Sequence, residues 1–192
     1  MQHSPLISKY LKQLKGLNTN KQSTVLDLAC GSGRNGLYLI ENGIPVTFAD
    51  VNAAAIEQVQ QHAAKLKNKQ QANFWLTDFE REGETPLAGK FFSAIMVFRY
   101  LHRPLFAQIK QAIMPNGLII YETFTTDQAQ FGRPKNPDFL LKAGELADIF
   151  SDWKILHSFE GIVESTNDRS QKKAIAQIVA IKPNETSEKL SK

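Results

Sequence analysis

The stretch TVLDLACGSGRNG at residues 24–36 constrains this chain most: an apolar run, a loop holding Gly31, Gly33 and Gly36, and then the start of a helical pattern. A short buried strand that turns on glycines straight into a helix is the opening unit of a doubly wound α/β sheet, because glycine lets the backbone turn sharply and lets a ligand or neighbouring element approach it. The unit repeats. Residues 45–50 (PVTFAD) and 73–77 read as second and third strands separated by a helix over 52–66. Residues 91–98 (FFSAIMVF) are apolar throughout, as a strand covered on both faces must be. A helix over 104–113 and a Pro115-Asn116-Gly117 turn lead to a fifth strand over 118–124. With 192 residues and 42% hydrophobic composition, residues 1–183 are expected to form one domain around one core.

Leu6, Ile7, Tyr10, Leu11 and Leu14 recur at helical spacing and stop at Gly16, which predicts an amphipathic helix within an N-terminal segment over 1–20. Residues 125–142 are glycine-, proline- and polar-rich and too long for an ordinary connection, so a lid over a site is expected there, with Phe124, Phe131 and Phe139 as candidate apolar walls. A short helix over 144–150 precedes two β-rich stretches, 153–165 and 172–181, joined by Asn167-Asp168-Arg169-Ser170, which is a hairpin signature. Residues 184–192 read as a disordered tail.

The net charge of +4 is spread over the first helix, residues 65–69 and the C-terminus. It fits an anionic small molecule and leaves nucleic acid as an alternative partner. The first sixteen residues hold no uninterrupted apolar run, so the expectation is a cytoplasmic chain with neither signal peptide nor membrane partner. The single cysteine, Cys30, excludes an internal disulfide framework and a cysteine-based zinc site, and no metal-ligand set is expected. Nothing in the pattern specifies an oligomeric state.

Ligands of such sheets lie beyond the carboxyl ends of the strands, where Asp27, Asp50 and Asp78 all stand. The literal GxGxxG of Gly31, Gly33 and Gly36 fits a dinucleotide as well as other nucleosides. Asp27 tips the balance. A pyrophosphate wants bare N–H groups at a helix start, whereas a carboxylate four residues ahead of the first glycine suits a ligand that carries positive charge. Asp50 is placed to accept a pair of ribose hydroxyls and Asp78 an adenine amino group; the plainer alternative is that they tie loops or cap turns.

The residues after the fourth strand face the second ligand. Arg99, Arg103 and, from the long loop, Arg133 are candidates to hold an oxyanion, with Tyr121 beside them. His102 is the first candidate base, and Arg99 and Tyr100 are further catalytic candidates. Against these stand an arginine paired with Glu122 and an Arg103-Pro104 step that merely starts a helix.

VLDLACGSGRNGLYL, followed by FADVN and LTDFE, resembles the first motifs of class I methyltransferases that use S-adenosylmethionine (SAM), in particular the small tellurite-resistance-type branch, over residues 24–124. The resemblance implies a Rossmann-like α/β fold: a doubly wound, mostly parallel sheet of seven strands in the order 3-2-1-4-5-7-6, with an antiparallel C-terminal hairpin at its edge. It implies SAM as cofactor, S-adenosylhomocysteine (SAH) as product, and direct transfer to a small-molecule acceptor. Asp27, Ala29, Gly31 and Gly33 would line the methionine end, Asp50 the ribose, and Asp78 with Phe79 the adenine, with Ser32, Val51 and Phe98 completing the set. The family often has glycine where this chain has Ala29, whose methyl group is small enough to leave the fold reading intact. Cys30 reads as loop packing, since direct methyl transfer uses no enzyme thiol. No Asn-Pro-Pro-Tyr motif is present, which weighs against nucleobase amino groups as acceptors. An RNA or protein methyltransferase and an NAD(P)-binding oxidoreductase remain as alternatives, the latter weakened by the lack of a substrate domain after the sheet.

Overall fold

Strand β1 (Val25–Leu28) is buried at every position and β4 (Phe92–Phe98) at all but its last, so both lie between covered faces at the centre of a sheet. On one side run β2 (Val46–Asp50) and β3 (Ala72–Leu76), and on the other β5 (Ile113–Phe124), β7 (Lys172–Ile181) and β6 (Lys154–Glu164). The order is β3-β2-β1-β4-β5-β7-β6, as expected. Neighbours from β3 to β5 pair in parallel, while β7 is antiparallel to both β5 and β6. The structure, a computed structural model, describes residues 2–17, 19–20, 23–164 and 171–184. The turn expected at 167–170 and residues 185–192 of the expected tail lie outside them.

Alternation along the strands sends side chains to two cores. Leu26, Leu28, Ile95 and Val97 pack under α5 (Leu105–Ala112) and α6 (Glu145–Ile149), with Phe106, Phe150 and Trp153 filling that layer. Val25, Ala94, Met96 and Ile120 face α1 (Pro5–Lys9), α2 (Leu11–Gly16), α3 (Arg34–Glu41) and α4 (Ala53–Ala63), which contribute Ile7, Leu14, Leu39, Ile40, Ile56 and Val59. Among the described residues no helix is long and apolar enough to cross a membrane.

The elements depart from the sequence reading in three places. The single N-terminal helix is two short ones that meet at Tyr10, whose buried ring reaches across so that its hydroxyl donates to the Leu156 carbonyl at 3.3 Å. β5 starts at Ile113, and the Pro115-Asn116-Gly117 turn is an irregularity inside it: Asn116 is left-handed at φ 62°, and a Cβ on Gly117 would stand 2.6 Å from the Ser93 carbonyl oxygen. Phe91 falls just outside β4 and is exposed.

Candidate active site

The central strands β1 and β4 are both left through a residue with a side chain in the left-handed region, Ala29 at φ 51° and Arg99 at φ 58°. Such residues cost roughly 1–3 kcal/mol each and gather at functional sites. Arg99 is held there by its backbone N–H, which donates to the Glu122 carbonyl at 2.8 Å.

The three loop glycines serve different ends. Gly31 and Gly33 are left-handed, at φ 52° and 65°. A Cβ on Gly31 would meet nothing within 4 Å, so the loop is open to a ligand there. On Gly33 it would press on Val59 of α4 at 2.7 Å, and on Gly36 it would strike the Phe48 ring of β2, so these two let the start of α3 pack close to α4 and the sheet. Ser32 lies between them, half-buried.

The carboxylates of this half are tied to backbone. Asp27 is buried and its Oδ2 accepts from Gly36 N at 3.0 Å; burial pushes its carboxyl up to about 8. Asp50 accepts from Gly31 N at 2.8 Å and from Asn52 N at 2.9 Å, one bond on each oxygen. Asp78 is exposed and accepts from Glu80 N at 2.8 Å. A carboxylate offers about four acceptor positions, so Asp50 and Asp78 keep capacity for ligand hydroxyl or amino groups. Val51 and Leu76 are 63% and 57% exposed, and Leu76 is the register partner of Asp50, which puts apolar surface beside both aspartates. Leu76 escapes sequence reading because an apolar strand residue looks like core. Phe79 is core, edge-on to Trp75 at 5.5 Å, which leaves its backbone for a ligand, and the half-buried Phe98 packs against the opposite layer.

The other half of the edge carries positive charge. Arg34, the first residue of α3, meets Arg99 and Lys173 at a cavity of about 200 Å³. Burial pushes the Arg34 and Lys173 side chains down, and the Arg99 charge pushes them further, with Glu122 opposing. Among the described residues none of the three cations forms an ion pair, and Glu122 instead accepts from Gln177 Nε2 at 2.7 Å. The N-terminal segment closes this cavity with His3, Ser4 and Pro5. It is held down by Ser4 N donating to Asn35 Oδ1 at 2.8 Å, by Arg34 Nη1 donating to the Gln2 carbonyl at 3.1 Å, and by His3 stacked on Tyr38 at 3.6 Å. A second cavity, of about 430 Å³, shares Arg99, Thr123 and Phe124 with the first and also takes Tyr100 and Arg133.

Four expectations for this half change. Arg103 is not free for a substrate: its Nε and Nη2 bind Glu145 at 2.7 and 2.9 Å, and its remaining donors reach the carbonyls of Asp138 and Leu140. Tyr121 is 1% exposed and its hydroxyl donates to the Tyr100 carbonyl at 2.9 Å, so it is core and not a substrate contact. His102 lines neither cavity. Tyr100 does line the larger one, but burial and the nearby Glu80 carboxylate push its phenol up, which keeps it protonated and unsuited to act as a base. Sequence reasoning missed Arg34 and Lys173. Arg34 had a signal, since it directly follows the glycine loop; Lys173 had none, being one lysine of a strand.

The sequence model of the family described as tellurite resistance protein TehB matches residues 6–179. No curated protein matches the chain. Among solved structures, TehB from Haemophilus influenzae superposes with a TM-score of 0.71 at 22% identity, over 91% of this chain and 62% of that one, so this chain spans less than two thirds of its length. A SAM-dependent methyltransferase from Methanosarcina mazei gives 0.66 at 16% identity, over 96% of this chain and 100% of that one. Geranyl diphosphate C-methyltransferase from Streptomyces coelicolor, solved with Mg²⁺, geranyl diphosphate and SAH, gives 0.62 at 15% identity, over 91% and 77%. At these identities the likeness is one of fold.

Proposed function

Because the chain belongs to the tellurite resistance protein TehB family and has the fold of SAM-dependent methyltransferases, we propose that it transfers the methyl group of SAM to a small anionic acceptor. The observation that carries this reading is opposite charge along one sheet edge. Asp27, Asp50 and Asp78 stand over β1 to β3, and Arg34, Arg99 and Lys173 gather beside them.

The residues fit the cofactor. The loop is open above Gly31, where the methionine part would lie, and Asp27, whose carboxyl burial pushes up to about 8, would meet its ammonium group after giving up its proton. Asp50 would take the ribose hydroxyls, and Asp78 with the Phe79 backbone the adenine edge, against the apolar surface of Val51 and Leu76. Bound there, SAM supplies a methyl group on a positively charged sulfur, which a nucleophile takes by direct in-line displacement.

The protein's own part is positioning. Arg34, Arg99 and Lys173 hold the acceptor's negative group by charge, and residues 125–142, clasped by Arg103, act as the lid that keeps water out. An acceptor that arrives as an anion brings its own lone pair, so His102 is not needed as a base.

A thermal shift series with SAM, SAH, NAD and NADP tests the cofactor. A ligand at a hundred times its dissociation constant adds about 2.7 kcal/mol, and stabilisation by NAD alone would overturn the proposal. Transfer from methyl-labelled SAM tests the acceptor, and the family's name makes tellurite the first inorganic anion to try.

A further inference from the structure

The two cavities beside Arg99 differ in kind. The smaller gathers three cations, Arg34, Arg99 and Lys173, against two carboxylates, Glu122 and Glu164. The larger, of about 430 Å³, is walled mainly by Leu101, Phe124, Pro134 and Phe139, with Glu80, Arg99 and Arg133 at its polar points. Cavities of roughly 300–1,000 Å³ with apolar walls and few polar groups are those that take organic molecules, and a bare oxyanion gains nothing from such walls.

The apolar cavity is built rather than left over. Arg103 donates to the carbonyls of Asp138 and Leu140, on either side of Phe139, at 3.0 and 2.8 Å. Gln128 Nε2 donates to the Arg133 carbonyl at 3.3 Å, while its Oε1 accepts from Ala174 N at 3.0 Å, so the segment that carries Pro134 is pinned to β7. The Tyr100 hydroxyl is buried beside the Glu80 carboxylate and forms no hydrogen bond among the described residues; with Glu80, Arg99, Thr123 and Arg133 it supplies the few polar groups of a mainly apolar lining. None of the residues assigned to SAM lines either cavity.

We infer that the methyl acceptor is an amphiphilic organic anion, with its acid group in the cavity of Arg34, Arg99 and Lys173 and its apolar body in the cavity of Leu101, Phe124, Pro134 and Phe139. This rests on the methyl-transfer reading above. Arg99, which lines both cavities, marks the junction between head and body.

Isothermal titration of the SAH-loaded full chain with straight-chain carboxylates from acetate to octanoate, and with tellurite as the bare oxyanion, tests it. Affinity should rise about fourfold with each methylene buried. Phe139→Ser should flatten that rise; Phe139 is 48% exposed, so its loss spares folding. Arg99→Asn, an exchange that suits the left-handed backbone, should weaken acetate and octanoate by the same factor and leave the step per methylene unchanged. A flat series, tellurite binding more tightly than octanoate, or a rise that survives Phe139→Ser and Leu101→Ser would each overturn the two-part acceptor. Failure of SAH to load, seen before any carboxylate is added, would overturn the methyl-transfer reading along with it.

Discussion

The carboxyl-terminal edge of the sheet has two halves with opposite construction. Over β1 to β3 the charges are carboxylates, and each is already bonded to backbone: Asp27 to Gly36, Asp50 to Gly31 and Asn52, Asp78 to Glu80. Beside them, Arg34 at the start of α3, Arg99 after β4 and Lys173 on β7 are cations from three distant segments that repel one another without an ion pair among the described residues, with Glu122 of β5 opposing the repulsion. The first half is held in shape by local hydrogen bonds before any ligand arrives. The second is held by hydrogen bonds between distant segments, Arg34 to the Gln2 carbonyl and Arg99 N–H to the Glu122 carbonyl, and a bound anion relieves its repulsion.

The sharpest way to break this division is Asp27→Asn, which keeps an oxygen for Gly36 N–H but cannot ionise to meet SAM's ammonium group. SAM affinity should fall about 100-fold, or ~2.7 kcal/mol, while anion binding to the SAM-free protein stays unchanged. Titration calorimetry with each ligand separates the two effects, and a fall in both would erase the distinction between the halves. Arg99→Asn combined with Lys173→Met should act the other way: kcat/KM for an anionic acceptor falls about 30-fold, roughly 2 kcal/mol. In that variant SAM affinity holds within about twofold and the ligand-free Tm rises, because two repelling charges have gone.

The pH dependence sharpens the cofactor half. The Asp27 carboxyl titrates near 8 in the folded protein against an ordinary value of 3.8, so below 8 it is protonated and SAM must displace that proton. SAM affinity should therefore rise with pH by just under tenfold per unit up to about 8 and then level off. Stability without ligand runs in the opposite sense. The folded state holds a proton that the unfolded state has lost, so this contribution is full below about pH 4 and declines by at most about 1.4 kcal/mol per unit until pH 8. Asp27→Asn should remove both slopes.

The smallest effects belong to residues that only border the anion site. Arg103→Met should lower stability by about 1 kcal/mol, since its pair with Glu145 is 35% and 19% exposed and partly screened. Its acetate affinity should be unchanged, as melting and titration curves would show. His102→Ala should move neither measurement, since that side chain lines neither cavity.

The half proposed for the cofactor stands out in sequence because its parts are local. A glycine loop, its preceding aspartate and two further aspartates at strand ends occupy fixed places in a repeating βα pattern, which also predicted the first five strands, while two β-rich stretches around a turn signature predicted the last two. What was missed on this side, Leu76, looks in sequence like any core leucine and is distinguished only by being exposed. On the side proposed for the acceptor, Arg99 and Arg133, which line the larger cavity, stand out in sequence because one follows a central strand and the other sits in an overlong loop. Arg103 was misread because its guanidinium finds Glu145 and two carbonyls that sequence spacing does not bring near. Tyr121 was misread because its strand lies deeper under α5 than its polar tip suggests.

The sequence by itself determined the sheet, its order through the family resemblance, and the carboxylates and glycines of the cofactor loop, since strand period, turn chemistry and strand-end position act over a few residues. Only the tertiary structure decided that Arg34, Arg99 and Lys173 share one cavity, that Arg103 clasps a loop, and that an apolar chamber lies beside the cations. Each of those outcomes depends on side chains from distant segments meeting within a few ångströms, a distance set by how helices and strands pack and by no pattern along the chain.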